Sequence, residues 1–330
     1  MKIKKLHIKN FKSIADLEII EPNPFTVFVG PNGSGKSNIF EALEFWSLGY
    51  KGYSIDLNSL FGGKNNMLHF NHLEQSADVS IEFPQDVILD SSAIALSTDS
   101  GNQIYQHQFS LKLDNFKKNA DYRQFVSNFS RLFINSPKGN KLNFQDDKKI
   151  TFITDNLEKV LKRILKDEGK KEEILDWLRL FIPEFDDVFI ESSELSSTDT
   201  LVIKEKYSDK YFTKELISDG TYNILALLTA VFQSDEPQFL CIEEPENGLN
   251  PRVIKELVGF FRNACEEKGH YIWLNTHSQT LVSELTPDEI ITVDKIKGET
   301  KIKQFKGEDF HGLSMDEAWL TNTLGGGLPW

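Results

Sequence analysis

An α/β fold is what this 330-residue sequence predicts: a mixed, mostly parallel sheet core with an antiparallel β part and a small helical insert. Three observations carry it. Gly30-Pro31-Asn32-Gly33-Ser34-Gly35-Lys36-Ser37 fits G-x-x-x-x-G-K-[ST] between a strand, Pro24 to Val29, and an amphipathic helix, Asn38 to Phe45. The second half alternates strand and helix patterns, which implies parallel strands with helices packed on them. Ala77 to Phe83 and Tyr105 to Leu113 alternate apolar with polar residues, as half-buried strands do.

Taken in order, Ile3 to Ile8 and Ala15 to Ile20 read as two short strands around the turn Asn10 to Ser13. The phosphate-loop helix then runs to about Gly49. The polar stretch Asp90 to Asn102 reads as a surface loop. From Asp155 to Phe181 the pattern turns helical, with Leu157, Val160, Leu161, Ile164 and Leu165 at helix spacing. Ile174, Trp177, Leu178 and Phe181 repeat it after Gly169, and Pro183 stops the run. These two helices read as a small antiparallel lobe, with 114–185 as a lid-like helical insert in a single domain of residues 1–330. Beyond them lie a strand Leu201 to Lys206, a helix Thr221 to Gln233, a buried strand Gln238 to Ile242, a helix Pro251 to Glu267 and a strand Tyr271 to Asn275. Residues 286–330 are left as a C-terminal strand and tail.

Composition excludes several classes. Apolar content of 39% and charged content of 26% are those of a soluble globular protein. The longest apolar run, Ile224 to Leu228 with its continuation to Phe232, is too short to span a bilayer, so no membrane partner is expected. Met1 to Leu6 alternates like a strand and lacks a signal-peptide core, which places the chain in the cytoplasm. Two cysteines build no disulfide framework, and Cys241 in its apolar strand reads as packing. The net charge of −13 disfavours generic nucleic-acid binding, although Lys2, Lys4, Lys5, Lys9 and Lys12, and again Lys117, Lys118, Arg123 and Arg131, form local basic clusters.

Chemistry concentrates at four places. The phosphate loop needs glycines for close backbone approach, and the helix start directs N–H groups and its positive dipole end at phosphate. Lys36 is expected to neutralise the β- and γ-phosphates and Ser37 to ligand Mg²⁺. The apolar strand Phe239 to Ile242 runs into Glu243-Glu244-Pro245-Glu246. Two carboxylates at the C-terminal end of a buried parallel strand lie where α/β folds bind ligands, Glu243 for the metal shell and Glu244 for the attacking water. His277 ends another buried strand, within reach of the γ-phosphate. Ser218-Asp219-Gly220-Thr221 opens a helix, where Ser218 serves as an N-cap or forms, with the Gly220 and Thr221 amides, a second anion site. His69 and His72 lack further ligands and read as loop residues.

In order and spacing these pieces resemble the ATPase head of the ABC superfamily, in the branch with SMC, RecF, Rad-fifty-type and OLD-type proteins. Gly30 to Ser37 resembles the Walker A loop, Ser218 to Thr221 the signature, Leu240 to Glu244 Walker B, Glu246-Asn247-Gly248-Leu249-Asn250-Pro251 the D-loop, and His277 the switch histidine. Ile8 to Ser13 resembles the first strand and turn, with Lys12 near the nucleotide. Walker B usually carries Asp then Glu; this chain has Glu243 then Glu244, which bears on metal geometry. The glutamine of the Q-loop is not identifiable; Asn135-Ser136 falls where it would lie.

The resemblance implies an ATPase with Mg²⁺ that dimerises head to tail on ATP. Lys12, Asn32, Gly33, Ser34, Gly35, Lys36, Ser37 and Asn38 would hold ATP, and Ser218, Asp219, Gly220 and Thr221 of a second copy would cap it. Glu244 and His277 would be catalytic, with Ser37 and Glu243 on the metal. The 53 residues after His277 cannot hold a Toprim nuclease, so any nuclease or toxin effector is expected as a separate protein. Likeness to small ATPases of the Septu and PARIS type implies gating such an effector in bacterial antiphage defence. The alternatives are a RecF-like DNA-repair clamp, a transporter subunit and an ATP-binding scaffold without turnover. The tail Ala318 to Trp330 resembles those of small stand-alone ATPases of this branch, without an assigned role.

Overall fold

The computed structural model describes residues 2–50, 61, 64–70, 76–85, 87–97, 103–112, 118–134, 147–193 and 198–328. Asn135-Ser136, His72, Lys117 and the last two residues of the tail lie outside them. The chain opens with strands β1 (Lys5–Phe11), β2 (Ile14–Ile20) and β3 (Phe25–Val29), followed by helix α1 (Lys36–Tyr50) and a short α2 (Lys64–Met67). Strands β4 (Ala77–Phe83), β5 (Val87–Ser97) and β6 (Gln103–Lys112) precede α3 (Lys118–Ser127) and β7 (Phe129–Leu132). Then come α4 (Leu157–Ile164), α5 (Glu168–Phe181), β8 (Phe185–Ser193), β9 (Thr198–Glu205) and β10 (Tyr211–Thr213). The last third holds α6 (Asp219–Phe232), β11 (Phe239–Glu243), α7 (Pro251–Lys268), β12 (Tyr271–Thr276), α8 (Gln279–Ser283), β13 (Ile290–Ile296), β14 (Glu299–Gln304) and α9 (Met315–Leu320).

A six-stranded sheet, β14-β13-β3-β12-β11-β7, is the centre of the molecule, parallel except for the β13–β14 pair. Its middle strands are buried at every position and largely apolar because both faces are covered. Phe25, Val27 and Val29 of β3 enter one core, shared with α4 to α9, while Phe28 enters the other. In β11 and β12 the alternation repeats: Leu240, Ile242, Ile272 and Leu274 face the helical core, and Phe239, Cys241, Tyr271 and Trp273 face the other. That second core lies under α1 and an antiparallel sheet, β2-β1-β4-β5-β6. A three-stranded sheet, β10-β9-β8, completes the fold. Burial pushes the Cys241 thiol well above its ordinary value and that of Cys265 up to about 12, as packing groups. Among the described residues no helix is long and apolar enough to cross a membrane.

Three sequence expectations change. Residues 90–97, expected in a loop, belong to β5, which pairs β4 on one side and β6 on the other. Two ladders satisfy its backbone and Val87, Leu89 and Ser91 turn inward, so pairing overrides the local polarity. The span 114–185 is not only a helical insert, because β7 within it is an edge strand of the central sheet, beside β11. Helices α4 and α5 pack into the main helical core through Leu157, Leu161, Ile174 and Leu178 and form no separate lobe. The C-terminal region supplies a hairpin, β13 and β14, whose first strand borders β3.

Candidate functional site

The buried strand β3 delivers Gly30 to the C-terminal edge of the central sheet, and α1 begins at Lys36. Between them Asn32 and Gly33 are exposed, while Ser34 and Lys36 are buried. The Lys36 ammonium donates to the carbonyls of Gly30 at 2.8 Å and Pro31 at 3.1 Å, which folds the side chain back over the loop. Burial lowers its pKa to about 8, against the raising influence of Glu244, Glu243 and Glu246. The loop is braced from behind. Gly35 has φ +106°, and a Cβ there would fall 2.0 Å from Oγ1 of Thr300 in β14, so only glycine fits. Thr300 Oγ1 donates to the Ser34 carbonyl (3.0 Å) and lies 2.6 Å from Ser13 Oγ, which in turn accepts from Asn38 at 2.6 Å.

Ser37 Oγ donates to Glu243 Oε2 at 2.7 Å, joining the first turn of α1 to the end of β11. The other oxygen of Glu243 accepts from Arg131 of β7, from Nε at 2.7 Å and from Nη2. Arg131 Nη1 also reaches Glu44 at 2.8 Å, and Nη2 lies 3.5 Å from Glu41. Lys12 pairs with the second oxygen of Glu41. Burial works against the Arg131 charge, yet the carboxylates of Glu243, Glu44 and Glu41 outweigh it and hold the guanidinium firmly protonated. Arg131 was grouped by sequence with a basic surface cluster; the structure buries it instead, 4.9 Å over the Phe152 ring. Nothing in the four residues of β7, Phe-Ser-Arg-Leu, sets Arg131 apart, since its place depends on β7 lying beside β11.

Glu244 follows β11 in a left-handed conformation, φ +48°. Its N–H donates to the Asn275 carbonyl (3.0 Å) and Oδ1 (3.1 Å), which holds the kink. Its carboxylate accepts from Asn247 Nδ2 at 3.0 Å, and the Asn247 carbonyl accepts from Asn223 of α6 at 2.6 Å. Glu246 turns inward: Oε1 accepts from Thr276 Oγ1 at 2.5 Å and from the His277 N–H at 3.2 Å. Burial pushes its carboxyl up, against those hydrogen bonds and with Glu244 reinforcing the rise. Half-burial and the nearby Lys36 charge lower the His277 pKa, so its ring is neutral at pH 7. Asn223, Asn247, Asn275 and Glu246 carry this arrangement through hydrogen bonds between α6, β12 and the turn after β11, which sequence spacing cannot show.

The structure therefore gathers Lys36, Ser37, Glu243, Glu244 and His277 at one sheet edge. Lys12 points to Glu41, and Asn38 to Ser13. Ser218 is an N-cap, accepting from the Thr221 N–H at 3.1 Å with the Thr221 hydroxyl 2.9 Å away. Among the described residues no hydrogen bond joins Ser218 to Thr221 with residues 30–38. A Cβ on Gly220 would meet the Gly248 carbonyl oxygen at 2.6 Å, so the start of α6 rests directly on the turn after Glu246. Lys4 and Lys5, expected in a basic cluster, form ion pairs with Glu82 and Glu18.

Residues 25–283, most of the chain, match the family model described as AAA domain, putative AbiEii toxin, Type IV TA system. A chromosome partition protein Smc of Methanococcus voltae is 31% identical over 132 residues, covering 37% of this chain and 11% of that protein's length. An ATP/GTP phosphatase of Helicobacter pylori is 22% identical over 356 residues, 93% of each chain. Among solved structures, an Smc head bound to the C-winged helix domain of ScpA superposes with a TM-score of 0.59 at 20% identity, covering 96% of this chain and 98% of that one. An Smc head with an extended coiled coil, bound to a C-terminal ScpA domain derived from Pyrococcus furiosus, gives 0.56 at 17% identity, over 98% and 99%. The fold is that of Smc heads, and the chain belongs to the AAA-domain family that its residues 25–283 match.

Proposed function

We propose that the chain binds ATP at the phosphate loop, hydrolyses it, and through a nucleotide-dependent head-to-tail homodimer gates a separately encoded effector in bacterial antiphage defence. One observation carries the nucleotide part: Lys36, Ser37, Glu243 and Glu244 converge where β3 and β11 end. The site suits a hard divalent cation, since Ser37 Oγ and Glu243 Oε2 are oxygen donors 2.7 Å apart. Ser37 and Glu243 would hold Mg²⁺, which when bound offsets phosphate charge. Lys36 exchanges the Gly30 and Pro31 carbonyls for phosphate oxygens. Glu244, fixed by Asn275 and Asn247, orients and deprotonates the attacking water. The neutral His277, held by Glu246, hydrogen-bonds the γ-phosphate or that water.

The signature helix supplies the reason for two copies. Among the described residues Ser218 to Thr221, bonded to one another, make no hydrogen bond to residues 30–38, and in this reading they cap the nucleotide of a second chain, related by two-fold symmetry. Residues 1–330 act in this reading as one ATPase domain. A Helicobacter pylori relative matched over 93% of each chain and named as a phosphatase supports hydrolysis, and Smc heads carrying ScpA domains support a protein partner. Paired N-terminal lysines weigh against a DNA clamp.

The test is steady-state ATP hydrolysis by wild type, Lys36→Ala and Glu244→Gln, joined to affinity purification of tagged Glu244→Gln with ATP and Mg²⁺. Turnover lost in both variants, with a stoichiometric protein captured only when Lys36 is intact, supports the proposal. Wild type with no turnover leaves an ATP-binding scaffold. DNA captured without a protein overturns gating in favour of a repair clamp.

A further inference from the structure

Arg131 stands beside the metal-side carboxylate without belonging to any motif read from the sequence. It lies on β7, directly opposite Cys241 of β11, so its side chain reaches the end of the same strand that presents Glu243. Two of its N–H groups converge on one oxygen, Oε1 of Glu243, with Nε at 2.7 Å. The other oxygen, Oε2, is left to Ser37 at 2.7 Å. Arg131 and Glu243 side chains are each only 5% exposed, and the guanidinium is fixed in turn by Glu44 at 2.8 Å and by the Phe152 ring.

Resting on the nucleotide-site reading above, we propose that Arg131 is a positioning residue that sets the Glu243 carboxylate for the metal. A glutamate has one more rotatable bond than the aspartate usual at this place, and its carboxylate can swing. A planar guanidinium gripping Oε1 removes that freedom and leaves a single oxygen facing Ser37. Arg131 and Glu243 thereby form a matched pair: the longer acid reaches the arginine, and the arginine stops it wandering. The same guanidinium, with the Lys12 ammonium, balances the carboxylates of Glu41, Glu44 and Glu243 that meet there.

The measurement is the affinity for a slowly hydrolysed ATP analogue, ATPγS, across a Mg²⁺ titration, which needs no turnover. Arg131→Lys keeps the charge and loses the fork. It is expected to raise the Mg²⁺ concentration that half-maximally tightens binding by about tenfold, as losing a group that orients a metal ligand does. Affinity without Mg²⁺ stays within about twofold of wild type, since the phosphate loop is untouched. Glu243→Asp, which withdraws the carboxylate from Arg131, is expected to raise the Mg²⁺ requirement as well, although Asp is the motif's usual residue. It serves if Arg131→Lys fails to fold. An unchanged Mg²⁺ requirement in either folded variant, or an equal loss with and without Mg²⁺, overturns the inference alone. A wild type whose ATPγS affinity ignores Mg²⁺ overturns the nucleotide-site reading and this inference together.

Discussion

Lys36 is a buried cation whose neighbours are carbonyl oxygens, and with its pKa lowered to about 8 the proposed ATP binding should depend on pH. The sign follows from its charge. Phosphate favours the ammonium, so binding raises the Lys36 pKa and takes up a proton when the free protein has lost it. Affinity is expected to fall as pH rises through 8, and calorimetry at pH 8.5 in buffers of different ionisation heat should report proton uptake. Equal affinity at pH 7 and 9 would contradict this. For Glu244, replacement by Gln keeps the Asn247 contact possible but removes the proposed base, so turnover should drop by about 10²-fold or more while ATPγS still binds. Glu246 acts differently, because Thr276 and the His277 amide need only an acceptor. Glu246→Gln retains one and should keep most of the turnover; Glu246→Ala should lose it, and equal losses would show that charge matters. Lys36, Ser37, Glu243, Glu244 and His277 were legible because each occupies a fixed place after a strand or before a helix. Arg131 and Asn275 were not, since their roles depend on which strands lie side by side.

At the scale of elements, the signature helix and the turn after Glu246 touch backbone to backbone. A methyl on Gly220 would meet the Gly248 carbonyl oxygen at 2.6 Å. Gly220→Ala should therefore displace α6 from that turn, break the Asn223–Asn247 contact and slow turnover. Its affinity for ATPγS should stay near wild type, because the chain's own phosphate loop is not involved. A Gly220→Ala protein that hydrolyses normally would show that the contact is dispensable. Buried strands such as β3, β11 and β12 were plain in the sequence because both faces are covered. Two strands were not: β5 carries Asp90-Ser91-Ser92 in its middle, and β7 is four residues long with Ser and Arg in it. Their strand state comes from neighbours more than from composition.

On the scale of the whole molecule, the tail closes against the central sheet. Trp319 is buried and donates to the Gly327 carbonyl at 2.5 Å, the Gly327 N–H donates to Asp294 of β13 at 2.8 Å, and Lys303 of β14 donates to the Leu324 carbonyl at 2.9 Å. Trp319→Ala removes a large side chain from the helical core and should cost about 3–5 kcal/mol of stability, seen as a lower denaturation midpoint in urea. An unchanged midpoint would mean that the tail is an ornament. Oligomeric state belongs to this scale too: Glu244→Gln with ATP should run as a dimer in light scattering and with ADP as a monomer.

The placing of β3 between β12 and β13 bears on how the protein is made. The strand that launches the phosphate loop is synthesised well before both of its neighbours, which come from residues 271–296, and its rear brace, Thr300, comes later still. A nascent chain halfway out of the ribosome has the nucleotide-binding sequence but not the walls that shape it. Pairings over such separations close slowly. The newborn protein should thus be blind to nucleotide until residues 271–300 have emerged, and ribosome-stalled chains ending before residue 290 should fail to retain ATPγS.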